Sequence, residues 1–283
     1  MRMVPFRKMH GLGNDFVVLD GRAGLPAPDA AAARRLADRH TGIGCDQLIV
    51  IEQPRLAPAQ AFMRIRNADG SEAEACGNAA RCVARLLAEE SGERHLRLET
   101  AAGILAAELL PDCRVAVDMG KARLEWHEIP LAKPMETLAV DLVAGPLAGP
   151  ACCNIGNPHA TFFVDDADGV DLPRLGPLLE HDPLFPQRAN IGVAQICGGG
   201  RLRLRVWERG AGLTRACGSG ACAALVNAHR RGLSGPHATV VLDGGELDIE
   251  WRAPQQGGDG HVIMTGAATA VFEGSFDVAL LTG

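Results

Sequence analysis

The 283-residue sequence contains no tyrosine and only three lysines, Lys8, Lys121 and Lys133. A mechanism that needs a phenolic base or a Schiff-base lysine has almost nothing to work with here. None of the nine cysteines is spaced C-x-x-C, so neither a zinc site nor a thioredoxin-type pair is written. No metal is expected, and an odd thiol count in a chain too long to need staples points to reduced cysteines. No apolar run reaches the roughly 18 residues of a membrane helix, and the start "MRMVPFRKMHGLGNDF" lacks a signal-peptide apolar region. The reading is cytoplasmic, with no membrane partner. Acidic residues outnumber basic ones, 34 to 28, and no dense Lys/Arg run occurs, so nucleic acid is excluded as a partner.

What the sequence does have is 47% hydrophobic residues, enough for a substantial core, and a pattern that is written twice. "EACGNAARC" from Glu74 and "RACGSGACA" from Arg215 place Ala-Cys-Gly at Cys76 and Cys217, 141 residues apart. Upstream, Arg64 to Cys76 aligns without a gap on Arg205 to Cys217, setting Asn67 opposite Glu208. "GNDFVVLD" faces "GNPHATFFVD", which puts Asn14 and Asn157 143 residues apart, and the same offset relates Gln47 to Asn190. Four collinear matches indicate a duplicated domain.

Each half reads as short β-rich runs around one main helix. "QLIVIE", "HLRLET" and "ILAAEL" in the first half, and "RLRLRVWE", "ATVVLDG" and "LDIEW" in the second, are bounded by Gly, Pro or Asp. Helical periodicity appears over 77–90 and 218–231, with Gly92 and Gly232 as stops, and further helices are expected over 27–40 and 171–181. The fold class is α+β: two pseudo-symmetric domains, each a β-sheet wrapped on a central helix. The expected domains are 1–120 plus 267–283, carrying Cys76, and 121–266, carrying Cys217.

Each cysteine directly precedes a helix. A helix N-terminus offers unpaired N–H groups and partial positive charge, which binds a carboxylate and lowers a thiol pKa from about 8.5 toward neutrality. Both helix mouths are expected to point at one cleft between the domains. Two thiols on opposite sides of one carbon can remove an α-proton from one face and return a proton to the other. The N–H donors would stabilise charge spreading into the carboxyl group. Cys82 and Cys222, inside the helices, read as packing, as do Cys45, Cys113, Cys152, Cys153 and Cys197 in or beside strands.

The motifs "KMHGLGNDF", "DQL", "NADGSEAEACGN", "GNPH", "PLFPQRANIG", "ERGAGLTRACGSGACAA" and "MTG", in that order from Lys8 to Gly266, resemble diaminopimelate epimerase. That resemblance implies cofactor-independent interconversion of LL- and meso-diaminopimelate, in lysine and cell-wall precursor synthesis, on the diaminopimelate epimerase-like fold. It implies Cys76 and Cys217 as the acid/base pair, and Asn14, Gln47, Asn67, Gly77, Asn78, Asn157, Asn190, Gly218 and Ser219 as substrate contacts. Glu208 and Arg209 complete the site: a two-ended substrate needs an acceptor for its distal ammonium and a guanidinium for its distal carboxylate. His159, beside the "NP" turn, is a candidate to tune or relay protons for Cys76. Two departures stand out: Ala79 where the family commonly has Gly, and Phe272 where it often has an aromatic hydroxyl at a dimer contact, which leaves a homodimer possible.

Rival readings are a proline racemase-type two-thiol enzyme acting on a smaller substrate, a pyridoxal-phosphate racemase, and a thiol redox or ligand-binding module. The Glu208–Arg209 pair argues against the first, and the missing tyrosines and scarce lysines against the second.

Overall fold

The computed structural model describes residues 3–282. They form two compact units: residues up to Val117 together with those from Gly266 onward, and Asp118–Thr265.

In the first unit β1 (Met3–Gly11) and β2 (Asn14–Asp20) form a hairpin, and α1 (Ala30–Ala37) crosses to β3 (Gln47–Glu52), parallel to β2. The chain turns back into β4 (Ala61–Asn67), onto which the stub β5 (Glu72–Ala73) folds. Then α2 (Gly77–Ser91) leads to β6 (His95–Thr100), parallel to β4, and an antiparallel run of β7 (Gly103–Leu109) and β8 (Val115–Lys121), whose residues from Asp118 on belong to the second unit.

After a small hairpin of β9 (Val143–Ala144) and β10 (Leu147–Ala148), the second unit follows the same plan. Strands β11 (Ala151–Asn154) and β12 (Pro158–Phe163) pair antiparallel, and α3 (Leu172–Glu180) crosses to β13 (Asn190–Gly198), parallel to β12. Strand β14 (Arg201–Glu208) carries the stub β15 (Gly212–Thr214), and α4 (Gly218–Arg230) leads to β16 (His237–Leu242), parallel to β14. Strands β17 (Gly245–Trp251) and β18 (His261–Gly266) complete the series. The chain returns to the first unit with β19 (Thr269–Asp277), antiparallel along β1, and α5 (Ala279–Thr282).

The duplication extends to register. Phe16 sits opposite Gln47, and His159, 143 residues after Phe16, sits opposite Asn190, 143 after Gln47. The two central helices are buried almost all round, as a sheet wrapped on a helix requires. Ala221 to Val226 are fully inaccessible, as are Arg81, Cys82, Val83 and Ala84. Asn227, also fully buried, satisfies its amide on Ala151 O (3.0 Å), Thr161 Oγ1 (3.1 Å) and Arg230, so it costs the core nothing unpaired. Separate apolar clusters fill the other faces, Val4, Leu19, Leu36 and Phe276 in the first unit and Leu142, Phe162, Leu175 and Phe185 in the second. Burying side chains of this kind contributes about 1.5–3 kcal/mol each.

Helix ends follow local chemistry. Gly92 adopts φ 77°, a left-handed cap that ends α2 at Ser91. Helix α1 is shorter than the expected 27–40. The Asp29 carboxylate caps Ala32 N at 2.7 Å, and Asp38 draws the chain out by accepting from His40 N and Thr41 N at 2.8 and 2.6 Å. The expectation of core packing fails for two cysteines. Cys113 and Cys197 are exposed because both stand at hairpin ends, Cys113 at φ 66° between β7 and β8, Cys197 beside the Gly198–Gly200 turn. Cys45, Cys82, Cys152, Cys153 and Cys222 are buried, and burial pushes the Cys82 thiol up to about 12. Ala79 turns its methyl into the core, fully buried, where it packs and supports the helix. No helix among the described residues is long and apolar enough to cross a membrane.

Candidate active site

In the first unit Cys76 is the N-cap of α2, in extended conformation (φ −150°, ψ 111°), and its carbonyl accepts the first helical bond from Ala80 N at 2.9 Å. The N–H groups of Gly77, Asn78 and Ala79 therefore have no acceptor within the helix. The half-buried thiol lies 3.9 Å from Asn14 Oδ1, which also accepts from Asn78 Nδ2 at 3.1 Å. The other end of the Asn14 amide donates to Asp46 Oδ2 at 3.0 Å. A carboxylate only accepts, so Asp46 fixes which way the amide faces. Asp46 is held in turn by Arg39 at 2.8 Å, and Arg39 and Lys8 share Asp15. Burial alone would raise the Asp15 carboxyl, but the hydrogen bonds from Arg39 and Lys8 hold it well below the usual range. Next to this network Gln47 Nε2 donates to Asn67 Oδ1 at 2.9 Å, and Asn67 Nδ2 to Ser71 Oγ at 3.0 Å. Gln47 Oε1 is buried with no protein donor. Asn14, Gln47, Asn67, Cys76, Gly77 and Asn78 thus gather where β2, β3 and β4 meet the mouth of α2.

In the second unit Cys217 is the N-cap of α4 (φ −119°, ψ 106°), and Ala221 N bonds its carbonyl at 3.0 Å. Its sulfur lies 3.7 Å from Ser219 Oγ, and the Gly220 N–H points at it. Ser219 Oγ and Asn157 Oδ1 both reach His159 Nε2, at 3.1 and 2.7 Å. The Glu208 carboxylate lies beside the thiol and accepts from Thr214 Oγ1. Asn190, 2% exposed, donates to Pro158 O at 2.9 Å and accepts from Arg209 N at 3.0 Å. The exposed Arg209 side chain rests on Gln187 O at 3.1 Å.

Two electrostatic expectations change. The helix mouth does not acidify Cys217: burial pushes its thiol well up, and the Glu208 carboxylate adds to this, outweighing the Ser219 and Gly220 donors. Cys217 therefore rests as S–H. Burial also pushes His159 down to about 3, with Arg209 adding repulsion, so it is a neutral ring at neutral pH. It touches Ser219, the residue two beyond Cys217.

The sequence motifs did not single out Asp46, Thr214 or Glu180 as supports. Asp46 lies inside the quoted "DQL" and Thr214 inside "ERGAGLTRACGSGACAA", which is the nearest thing to a signal; Glu180 shows its role only through what folds against it. Among the described residues no group of three or more His, Cys, Asp or Glu is arranged to ligate a metal.

A duplicated α+β unit with a cysteine capping the central helix of each copy is the architecture of the diaminopimelate epimerase-like fold. Solved structures of that shape include a hydroxyproline epimerase from Agrobacterium vitis with bound trans-4-hydroxy-L-proline (TM-score 0.69, 16% identity, covering 98% of this chain and 91% of that one). A Bacillus anthracis phenazine biosynthesis protein of the PhzF family also matches (TM-score 0.69, 14% identity, 98% and 100%). At that identity the likeness establishes the fold. The sequence goes further: the family model described as Diaminopimelate epimerase matches residues 6–125 and 151–271. Diaminopimelate epimerases from Acidiphilium cryptum and Rhodospirillum centenum are 59% and 58% identical, each over 98% of this chain and 98% and 94% of their own. The chain belongs to the diaminopimelate epimerase family.

Proposed function

We propose that this chain is a cofactor-independent isomerase that interconverts LL- and meso-diaminopimelate, with Cys76 and Cys217 as its acid/base pair. The observation that carries the reading is the repeat itself: in a chain of this family, the same residue type caps the central helix of both copies.

One thiolate takes the α-proton, and the electron pair left on carbon spreads into the α-carboxylate. The N–H groups of Gly77, Asn78, Gly218 and Ser219, at the mouths of α2 and α4, receive that charge. The opposite thiol then gives its proton to the other face of the carbon, and ends as the thiolate needed for the reverse direction. Net, one proton leaves one face and one arrives at the other. Burial of Cys217 with Glu208 beside it keeps this group protonated at rest, as the waiting acid. Asn157 and the neutral His159 hold Ser219 beside it. Glu208 and Arg209, with Asn67 and Asn190, recognise the distal ammonium and carboxylate.

The reading includes a cytoplasmic location and a homodimer. Support for the latter is apolar surface on β19, where Val271 and Phe272 are 55% and 49% exposed; size-exclusion chromatography with light scattering tests it.

Alanine at Cys76 and at Cys217, assayed separately for epimerisation and α-proton exchange in deuterated water, tests the mechanism. Each is expected to lose about 10²–10⁴-fold or more in rate. Full epimerase activity in either variant sinks the two-thiol mechanism. Label entering proline and not diaminopimelate favours the racemase alternative.

A further inference from the structure

Glu180 takes part in none of the steps above, yet it is a carboxylate only 3% exposed. It closes α3 and accepts three hydrogen bonds. Trp207 Nε1 donates to Oε2 at 2.8 Å, while Gly210 N and Arg188 Nη1 donate to Oε1 at 2.9 and 3.3 Å. Trp207 and Gly210 bracket Glu208 and Arg209 in sequence. Arg188 belongs to the segment that meets Arg209 from the other side, where Gln187 O and Asn190 Oδ1 accept from it. The Trp207 ring also lies against Gly176 of α3, where an added Cβ would fall 2.5 Å from its Cγ and Cδ2.

We infer that Glu180 is a positioning residue: it sets where Glu208 and Arg209 stand, and so how tightly the far end of a two-ended amino acid is held. This rests on the reading of Glu208 and Arg209 given above. All three partners are donors, and only a group accepting at both of its ends satisfies them together. A carboxamide has the same shape but accepts at one end and donates at the other. Glutamine at position 180 would set an NH₂ group against the Trp207 N–H or against the Gly210 and Arg188 donors. A buried donor left facing a donor is costly enough to move the turn.

The test uses KM and kcat for diaminopimelate. E180Q is expected to raise KM about tenfold or more, the size of effect expected from unpairing a buried donor, and to change kcat by less, since of the two residues it positions only Glu208 stands beside Cys217. W207F removes the donor at one end, so that a glutamine can turn its NH₂ toward the phenyl ring and offer its oxygen to Gly210 and Arg188. The double variant E180Q/W207F is therefore expected to return KM to within about threefold of W207F alone, a rescue that a loss of general stability does not produce. KM for E180Q within about twofold of the parent, or a double variant no better than E180Q, overturns the inference. If E180Q does not fold, as read by tryptophan fluorescence, G176A decides: its Cβ displaces Trp207 and is expected to raise KM while Glu180 stays in place, and an unchanged KM overturns the inference. R209A separates the two claims. If it leaves KM unchanged, the distal-end reading falls; if it raises KM and E180Q does not, the positioning role of Glu180 alone falls.

Discussion

His159 gives a pH dependence that can be worked from its surroundings. The ring is 2% exposed, engaged with Asn157 and Ser219, and held neutral down to about pH 3. In the unfolded chain an ordinary histidine titrates near 6.5. The folded pKa lies below the unfolded one, so between about 3 and 6.5 the unfolded chain binds a proton that the folded chain refuses. Stability is then level above about pH 7.5 and falls as the pH drops through that window. At pH 5 the loss is about 2 kcal/mol, from 1.36 kcal/mol per unit over about 1.5 units, and it stays near that figure for any folded value below about 4. H159Q removes the titration while keeping polar atoms of similar reach. All three tryptophans, Trp126, Trp207 and Trp251, belong to the unit that holds His159, so their fluorescence in a urea titration reports that unit. The parent protein is expected to lose about 2 kcal/mol more than H159Q between pH 8 and pH 5. Equal losses in the two proteins would refute the neutral, buried assignment.

Two further outcomes follow from the site and the thiols. In G220A the new methyl would stand 3.0 Å from Val206 Cγ2 and 3.1 Å from Cys217 Sγ, on a helix turn whose N–H serves that sulfur; kcat is expected to fall about tenfold or more with circular dichroism unchanged, because small displacements of an acid/base group are costly, and a value within twofold contradicts the placement. Rapid alkylation followed by peptide mapping is expected to mark Cys113 and Cys197 far ahead of Cys82, Cys152 and Cys153, with C113S/C197S keeping parental kcat; early labelling of the buried set would contradict the burial described.

The repeat was legible because it is carried by residue types with hard local demands. Glycine after each cysteine and glycine at each helix stop are readable one position at a time, and the helices begin at Gly77 and Gly218 as the pattern predicts. Strands β1, β11 and β19 were not foreseen. β1 carries Pro5 and three basic residues, and it tolerates the proline because its pairing with β2 begins only at Arg7. β11 is four residues long, too short for alternation to register, and β19 is exposed along most of its length, so neither has a hydrophobic period to read. At the site, polarity of residue type was visible but environment was not. The elevated Cys217 thiol and the depressed His159 follow from complete burial, which tertiary packing decides. Glu180 looks like an ordinary surface acid at the end of an amphipathic helix until the β14–β15 turn folds against it.

The interruption of the first unit by the second bears on how the chain is made. Asp118–Thr265 is contiguous, and every strand of its sheet is available once that stretch has left the ribosome. The first unit, although its residues emerge earlier, lacks the partner that lies along β1 until β19 is synthesised at the far end. Domains ordinarily fold in the order they are translated; here the later unit has all its strands first, and the earlier one must keep the β1 edge, with Val4 and Phe6 destined for its core, unpaired until β19 has emerged.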